Sequence, residues 1–194
     1  MKKHDPAVYD FERPPLLFRL EDRLKALIGG PLFYAPFYRA MGGLAGHEKV
    51  LDFGCGSGAG AKVLARLLLR GGSVTGTDVS GRATRMAGRL LRRFPNARVL
   101  HGDIRELGLE PDSFDVASAV HVIHDIVEPK RAGTVRALAR ALKPGGRLWL
   151  LEPTRPSHGM SASEIRDLMR GAGLHEQSAE VTERAFRGVF AKPA

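Results

Sequence analysis

Residues 49–60 read Lys49-Val50-Leu51-Asp52-Phe53-Gly54-Cys55-Gly56-Ser57-Gly58-Ala59-Gly60, and the rest of the chain is organised around them. An apolar strand through Val50 and Leu51 runs into a glycine-dense turn. A helical pattern begins near Ala59 and continues through Val63, Leu64, Leu67 and Leu68. Glycine suits such a turn because a residue without Cβ takes backbone angles closed to others and lets a ligand touch the main chain. Strand, glycine turn and helix start together form a nucleotide cradle with free N–H groups facing the bound molecule. Residues 54–59 also fit the dinucleotide fingerprint G-x-G-x-x-A, with Asp78 about 20 residues on. Two residues argue against a dinucleotide. Asp52 stands where such a strand is normally still apolar, and Gly58 turns the pattern into G-x-G-x-G.

Outward from this stretch the pattern alternates strand and helix, the sign of a parallel sheet covered on both faces. Strands are expected at residues 74–77, 98–101, 114–120 and 147–151, and β-like segments at 174–181 and 185–191. Ser80 caps a helix running to about Phe94. A second helix covers roughly residues 129–142, and Ser161 with Glu164 forms a capping box that opens a third. Upstream, Pro14 and Pro15 open an amphipathic helix reaching Ile28. A short aromatic segment follows at residues 33–41. Of the 13 aromatic residues 7 lie in the first 41, which suits either a lid over a substrate or rings that pack these helices onto the domain.

The 194 residues make one domain by default, with 43% apolar and 26% charged residues typical of a globular protein. No stretch is long and apolar enough to cross a bilayer, and Met1-Lys2-Lys3-His4-Asp5 leads into no secretory apolar core, so a cytoplasmic protein is expected. The single Cys55 excludes an intramolecular disulfide and a cysteine metal cluster. A net charge of +9 allows an anionic partner without showing one. Arg82, Arg85, Arg89, Arg92 and Arg93 line one helix face, which reads first as a solvated surface.

Val-Leu-Asp-Phe-Gly-Cys-Gly-Ser-Gly at residues 50–58 resembles the first motif of the class I S-adenosylmethionine-dependent methyltransferases. Thr-Gly-Thr-Asp-Val-Ser at 75–80 and Leu-Lys-Pro-Gly-Gly-Arg-Leu at 142–148 look like further parts of that fold, so the resemblance covers about residues 45–194. It implies an α/β, Rossmann-like, doubly wound and mostly parallel seven-stranded sheet with helices on both faces. One antiparallel strand is expected near the edge. Residues 1–45 would form an N-terminal arm and helical lid, and 46–194 the methyltransferase domain.

The resemblance also assigns roles. S-adenosylmethionine brings an ammonium and a sulfonium, which gives Asp52 a use. Asp52 and the backbone at Gly54, Gly56 and Ser57 would hold the methionine end, with Cys55 and Gly58 in the same turn and Val120 at the end of strand four. Asp78 would accept hydrogen bonds from two ribose hydroxyls. Asp103 would receive the adenine amino group, with Val79 and Ile104 flanking the ring. A plain turn or cap role is the competing reading of both aspartates. After strand four, His124-Asp125 resembles the His-Asp of small-molecule O-methyltransferases, in which the histidine is the general base. Glu152, 28 residues further on, matches the glutamate that orients it. A histidine at this place can equally be a wall of the site, with the spacing set by one helix and one strand.

No Asn/Asp-Pro-Pro-Tyr/Phe motif follows strand four, which disfavours methylation of nucleic-acid bases and hence a nucleic-acid partner. No metal motif is present, so catechol-type chelation is not indicated. The expected function is methyl transfer from S-adenosylmethionine to a small-molecule acceptor by in-line displacement. Two alternatives stay open: methylation of a lipid, a quinone or phospholipid head group, at an anionic membrane surface, and a non-catalytic cofactor-binding subunit. Acceptor identity and oligomeric state are not legible in the sequence.

Overall fold

A computed structural model of the chain describes residues 32–156 and 158–194. The expected arm at residues 1–13 and the amphipathic helix at 14–28 lie outside the described residues. The chain divides into two compact units, 32–107 and 108–194 among the described residues.

In the first unit, α1 (Ala35–Ala40) precedes β1 (Lys49–Phe53), α2 (Ala59–Leu67), β2 (Ser73–Asp78), α3 (Gly81–Leu91) and β3 (Ala97–His101). β2 lies between β1 and β3 and pairs parallel with both, Asp52 facing Gly76 and Asp78 facing His101. Val50, Leu51 and Val74 are buried, as expected of parallel strands covered on both faces. α2 and α3 pack on these strands through Ala61, Leu64, Ala87 and Leu91. Ser80 caps α3, its hydroxyl accepting from the Ala83 N–H at 3.2 Å, because a short polar side chain satisfies one of the orphan donors of the first turn. Phe37 and Tyr38 of α1 are also buried, while Phe33 is exposed.

In the second unit, β4 (Phe114–Val120) is followed by a 3₁₀ turn (Ile123–Asp125), α4 (Glu128–Ala141), β5 (Leu142–Arg155), β6 (His158–Gly159), α5 (Ala162–Gly171), β7 (His175–Val181) and β8 (Ala185–Ala191). β4 and β5 are parallel, β8 is antiparallel to β5, and β7 is antiparallel to β8. The one antiparallel strand next to the edge is therefore β8. Leu148, Trp149, Leu150, Phe186 and Phe190 are buried in this unit. Among the described residues are the seven expected strands and a short extra one, β6, paired antiparallel with β5. Mostly parallel strands with intervening helices make the mixed α/β fold the sequence calls for.

Candidate active site

Polar residues gather at strand ends in each unit. In the first, the chain leaves β1 through Gly54, Gly56 and Gly58, with φ of 67°, 52° and 88°. The Cys55 N–H donates to the Thr77 carbonyl at 3.0 Å and the Gly58 N–H to the Cys55 carbonyl at 2.9 Å, which ties the turn to β2 and to itself. Among the described residues a Cβ at Gly56 would meet nothing within 4 Å, whereas one at Gly58 would come to 3.0 Å of Ala87 on α3. Gly56 leaves an open backbone face for a ligand, and Gly58 lets two helices approach. Beneath the turn the Cys55 thiol is buried against Gly76, where a Cβ would lie 2.9 Å from its sulfur.

Asp78, at the end of β2, accepts from the Gly56 N–H through Oδ2 and from the Ser80 N–H through Oδ1, both at 2.9 Å. It fastens the loop as the turn reading expects. The ribose reading would have the same carboxylate serve a ligand as well as these two amides. Asp52 is buried. Its burial and then the nearby Asp78 push its carboxyl up to about 7, partly offset by the neighbouring Ala61 amide and Tyr38 hydroxyl. Tyr38 and Tyr34 lie over the start of α2, where a Cβ on Gly60 would meet the Tyr38 hydroxyl at 2.7 Å. Asp103, after β3, accepts from the backbone N–H of Arg105 at 3.0 Å and pairs with its guanidinium. Val79 is 62% exposed and Ile104 buried, so only the former presents its side chain to solvent.

This first group suits a cation-bearing cofactor. Two carboxylates lie close together, one of them buried and reluctant to ionise, and a positive charge placed there would relieve both.

In the second unit β4 ends at the buried Val120, and His121 then takes φ 57°, a left-handed conformation strained for a side chain of this kind. Its N–H donates to the Leu151 carbonyl at 2.8 Å. The 3₁₀ turn that follows is folded onto Glu152 of β5, which is fully buried. Glu152 Oε1 accepts from the Val122 and Ile123 N–H groups at 3.0 and 2.8 Å. Its Oε2 accepts from the His124 N–H at 3.3 Å and faces His124 Nδ1 at 2.6 Å. A buried carboxylate needs such donors, and here one side chain both builds the turn and fixes the imidazole. Burial pulls the His124 pKa down, but the hydrogen bond and charge of Glu152, helped by Asp125, outweigh it and leave it above its ordinary value. Burial lowers that of His121.

Arg131 of α4 pins the same turn. Its guanidinium donates to the Ile126 carbonyl at 2.8 Å and the His124 carbonyl at 2.9 Å, and pairs with Glu164 of α5. His158 on β6 brings its Nε2 to 3.1 Å from His124 Nε2, and Asp125 Oδ1 lies 3.3 Å from the same nitrogen.

The structure therefore gathers Asp52, Gly54, Cys55, Gly56, Ser57, Gly58 and Asp78 at one turn, with Val79, Asp103 and Ile104 after β2 and β3. Val120, His124 and Glu152 fall in the second unit. Sequence reasoning missed Tyr38, His121, Arg131 and His158. Tyr38 could have been flagged as an aromatic residue with a polar tip, and Arg131 as a basic residue in the first turn of a helix. His158 carries no spacing signal, because a two-residue strand folds it back.

The family pattern described as "Methyltransferase domain" matches residues 51–150, more than half of the chain. Among curated proteins, the chain is 36% identical over 118 residues to the demethylmenaquinone methyltransferase of Tropheryma whipplei, covering 60% of this chain and 46% of that one. It is 37% identical over 102 residues to the ubiquinone biosynthesis O-methyltransferase of Albidiferax ferrireducens, covering 51% and 38%. The chain thus spans less than half the length of these relatives. Among solved structures, a TehB-like S-adenosylmethionine-dependent methyltransferase from Corynebacterium glutamicum superposes with a TM-score of 0.75 at 24% identity, over 91% of this chain and 96% of that one. One from Aquifex aeolicus superposes with a TM-score of 0.73 at 21% identity, over 97% and 99%. The strand-end aspartates and the glycine turn therefore stand in a chain that belongs to the methyltransferase-domain family and has the fold of S-adenosylmethionine-dependent methyltransferases.

Proposed function

We propose that the chain transfers a methyl group from S-adenosylmethionine to a small-molecule acceptor whose hydroxyl, of phenol or alcohol type, must lose its proton. The observation that carries this reading is Asp52. A buried carboxyl beside Asp78 is restored to its charged form by a cationic ligand, whereas the pyrophosphate of a dinucleotide would add negative charge to a place that already resists it. When bound, S-adenosylmethionine supplies an electrophilic methyl group on a sulfonium. Asp52 and the backbone of Gly54, Gly56 and Ser57 hold its methionine end, and Asp78 receives the ribose hydroxyls. Asp103 takes the adenine amino group, with Val79 and Ile104 as apolar walls. His124 accepts the acceptor's proton, and Glu152 keeps the ring oriented through Nδ1. The names of the relatives, which concern quinones, support a small ring-bearing acceptor.

Calorimetry tests the cofactor half. The demethylated product of S-adenosylmethionine is expected to bind in the micromolar range and NAD far more weakly, and tighter NAD binding would overturn the reading. Labelled cofactor offered with a panel of phenols and quinols tests the other half. His124→Ala is expected to lower turnover about 10²–10⁴-fold with cofactor affinity nearly unchanged. Glu152→Gln should lower it less, and the two losses should not add, because both act through one proton transfer. Full activity of His124→Ala on an un-ionised hydroxyl would end the base role.

A further inference from the structure

We infer that His124, Asp125 and His158 form a binding site for one divalent transition-metal ion of the zinc, cobalt or nickel kind. Their ligand atoms all lie within 4.8 Å of one another. Two ligand atoms bound at 2.0–2.1 Å around a tetrahedral ion are roughly 3.3 Å apart. His124 Nε2 stands 3.1 Å from His158 Nε2 and 3.3 Å from Asp125 Oδ1, close to that spacing, and Asp125 and His158, whose ligand atoms lie within 4.8 Å of each other, draw together as the ion binds.

The hydrogen bonding explains why a cation belongs there. When neutral, His124 carries its proton on Nδ1, since that nitrogen donates to Glu152 at 2.6 Å, and its Nε2 then presents a lone pair. His158 can place one N–H between the two rings. That single proton serves one contact and, for the neutral ring, leaves the Asp125 carboxylate oxygen facing an acceptor nitrogen; a second proton on Nε2, or an ion in its place, satisfies it. An ion at the centre takes all three lone pairs at once, with His158 carrying its own proton on Nδ1. The carboxylate–histidine–ion series, Glu152 to His124 to metal, is the arrangement by which an outer carboxylate fixes a ligating imidazole and raises its basicity. Two imidazoles and one carboxylate favour ions of this kind over magnesium, which prefers oxygen ligands.

Backbone geometry holds the third ligand. β6 folds back on β5, with Arg155 facing His158 and Thr154 facing Gly159. A Cβ on Gly159 would lie 2.3 Å from the Pro153 carbonyl oxygen, so glycine is needed for the fold-back that brings His158 to His124. The absence of a spacing motif follows from the same device, because two ligands are neighbours in sequence and the third returns across a short turn.

Uptake of the ion does not depend on the methyl-transfer reading. Its effect on activity does: the ion takes the same Nε2 lone pair that would accept a proton, so a loaded site and a proton-accepting His124 exclude each other. The test uses the whole chain, stripped with a chelator and without cofactor or acceptor. Titration with Co²⁺ is expected to give one saturable equivalent with visible absorption bands of a low-coordinate site, displaced by Zn²⁺ and not by millimolar Mg²⁺. His158→Ala and Asp125→Asn should each weaken Co²⁺ at least 10-fold, with thermal unfolding of the metal-free protein monitored to show that each still folds. Absence of saturable Co²⁺ binding, or equal affinity in a folded His158→Ala, would overturn the site whatever the protein's activity.

Discussion

At neutral pH the Asp52 carboxyl is divided between its two forms, because burial and Asp78 hold its pKa at about 7. In the unfolded chain it titrates near 3.9. Between these values the folded chain holds the extra proton, so rising pH costs stability across roughly pH 4–7 and no further above it. Urea unfolding should show Asp52→Asn losing its share of this slope. A cation beside Asp52 acts in the opposite direction. Cofactor affinity should rise as pH increases toward and past 7, and uptake below pH 7 should release a proton, seen by calorimetry in buffers of different ionisation enthalpy. Flat affinity from pH 6 to 8 would remove Asp52 from the cationic end of the cofactor. Asp78→Ala should weaken cofactor binding about 10–100-fold, since hydrogen bonds to a charged acceptor contribute about 1.5–3 kcal/mol. It should also move the Asp52 transition to lower pH. The places of both aspartates near strand ends were legible, because each closes an apolar strand pattern in the sequence. The place of Tyr38 over the start of α2 was not, because aromatic spacing on a short helix does not reveal what its hydroxyl approaches.

Among the elements, α2 and α3 depend on Gly58 for their approach. Gly58→Ala combines a φ of 88° with a methyl 3.0 Å from Ala87, and should destabilise the chain by about 1–3 kcal/mol in urea unfolding. The turn at Ile123–Asp125 depends on Arg131. Arg131→Met would leave the His124 and Ile126 carbonyls without the donors they now have, and hydrogen exchange at the Asp125 and Ile126 amides should accelerate while β8 stays protected. β4 and β8 fall where the strand pattern puts them, and α4 is displaced by one residue at each end. β5 departs from expectation. Lys143-Pro144-Gly145-Gly146 reads as a turn before a short strand, yet β5 already begins at Leu142, and the pairing jumps from Phe114–Leu142 to Val116–Arg147. The turn signal marks a bulge within a strand, a distinction that depends on which neighbour the segment pairs with. β6 is too short for any periodicity to show.

For the whole molecule, the single cysteine offers a clock. Cys55 lies under the glycine turn, with its thiol pKa pushed up by burial and by Asp52 and Asp78. A thiol reagent at neutral pH can reach it only when the chain breathes, and with one cysteine in the chain each labelled molecule records one such event. Followed against urea, the labelling rate should separate two regimes. A shallow dependence reports loosening of the turn alone, and a steep one reports unfolding of the chain. Whatever occupies the cradle should slow the shallow regime first, so a candidate ligand can be ranked by the minutes it adds to the life of one sulfhydryl.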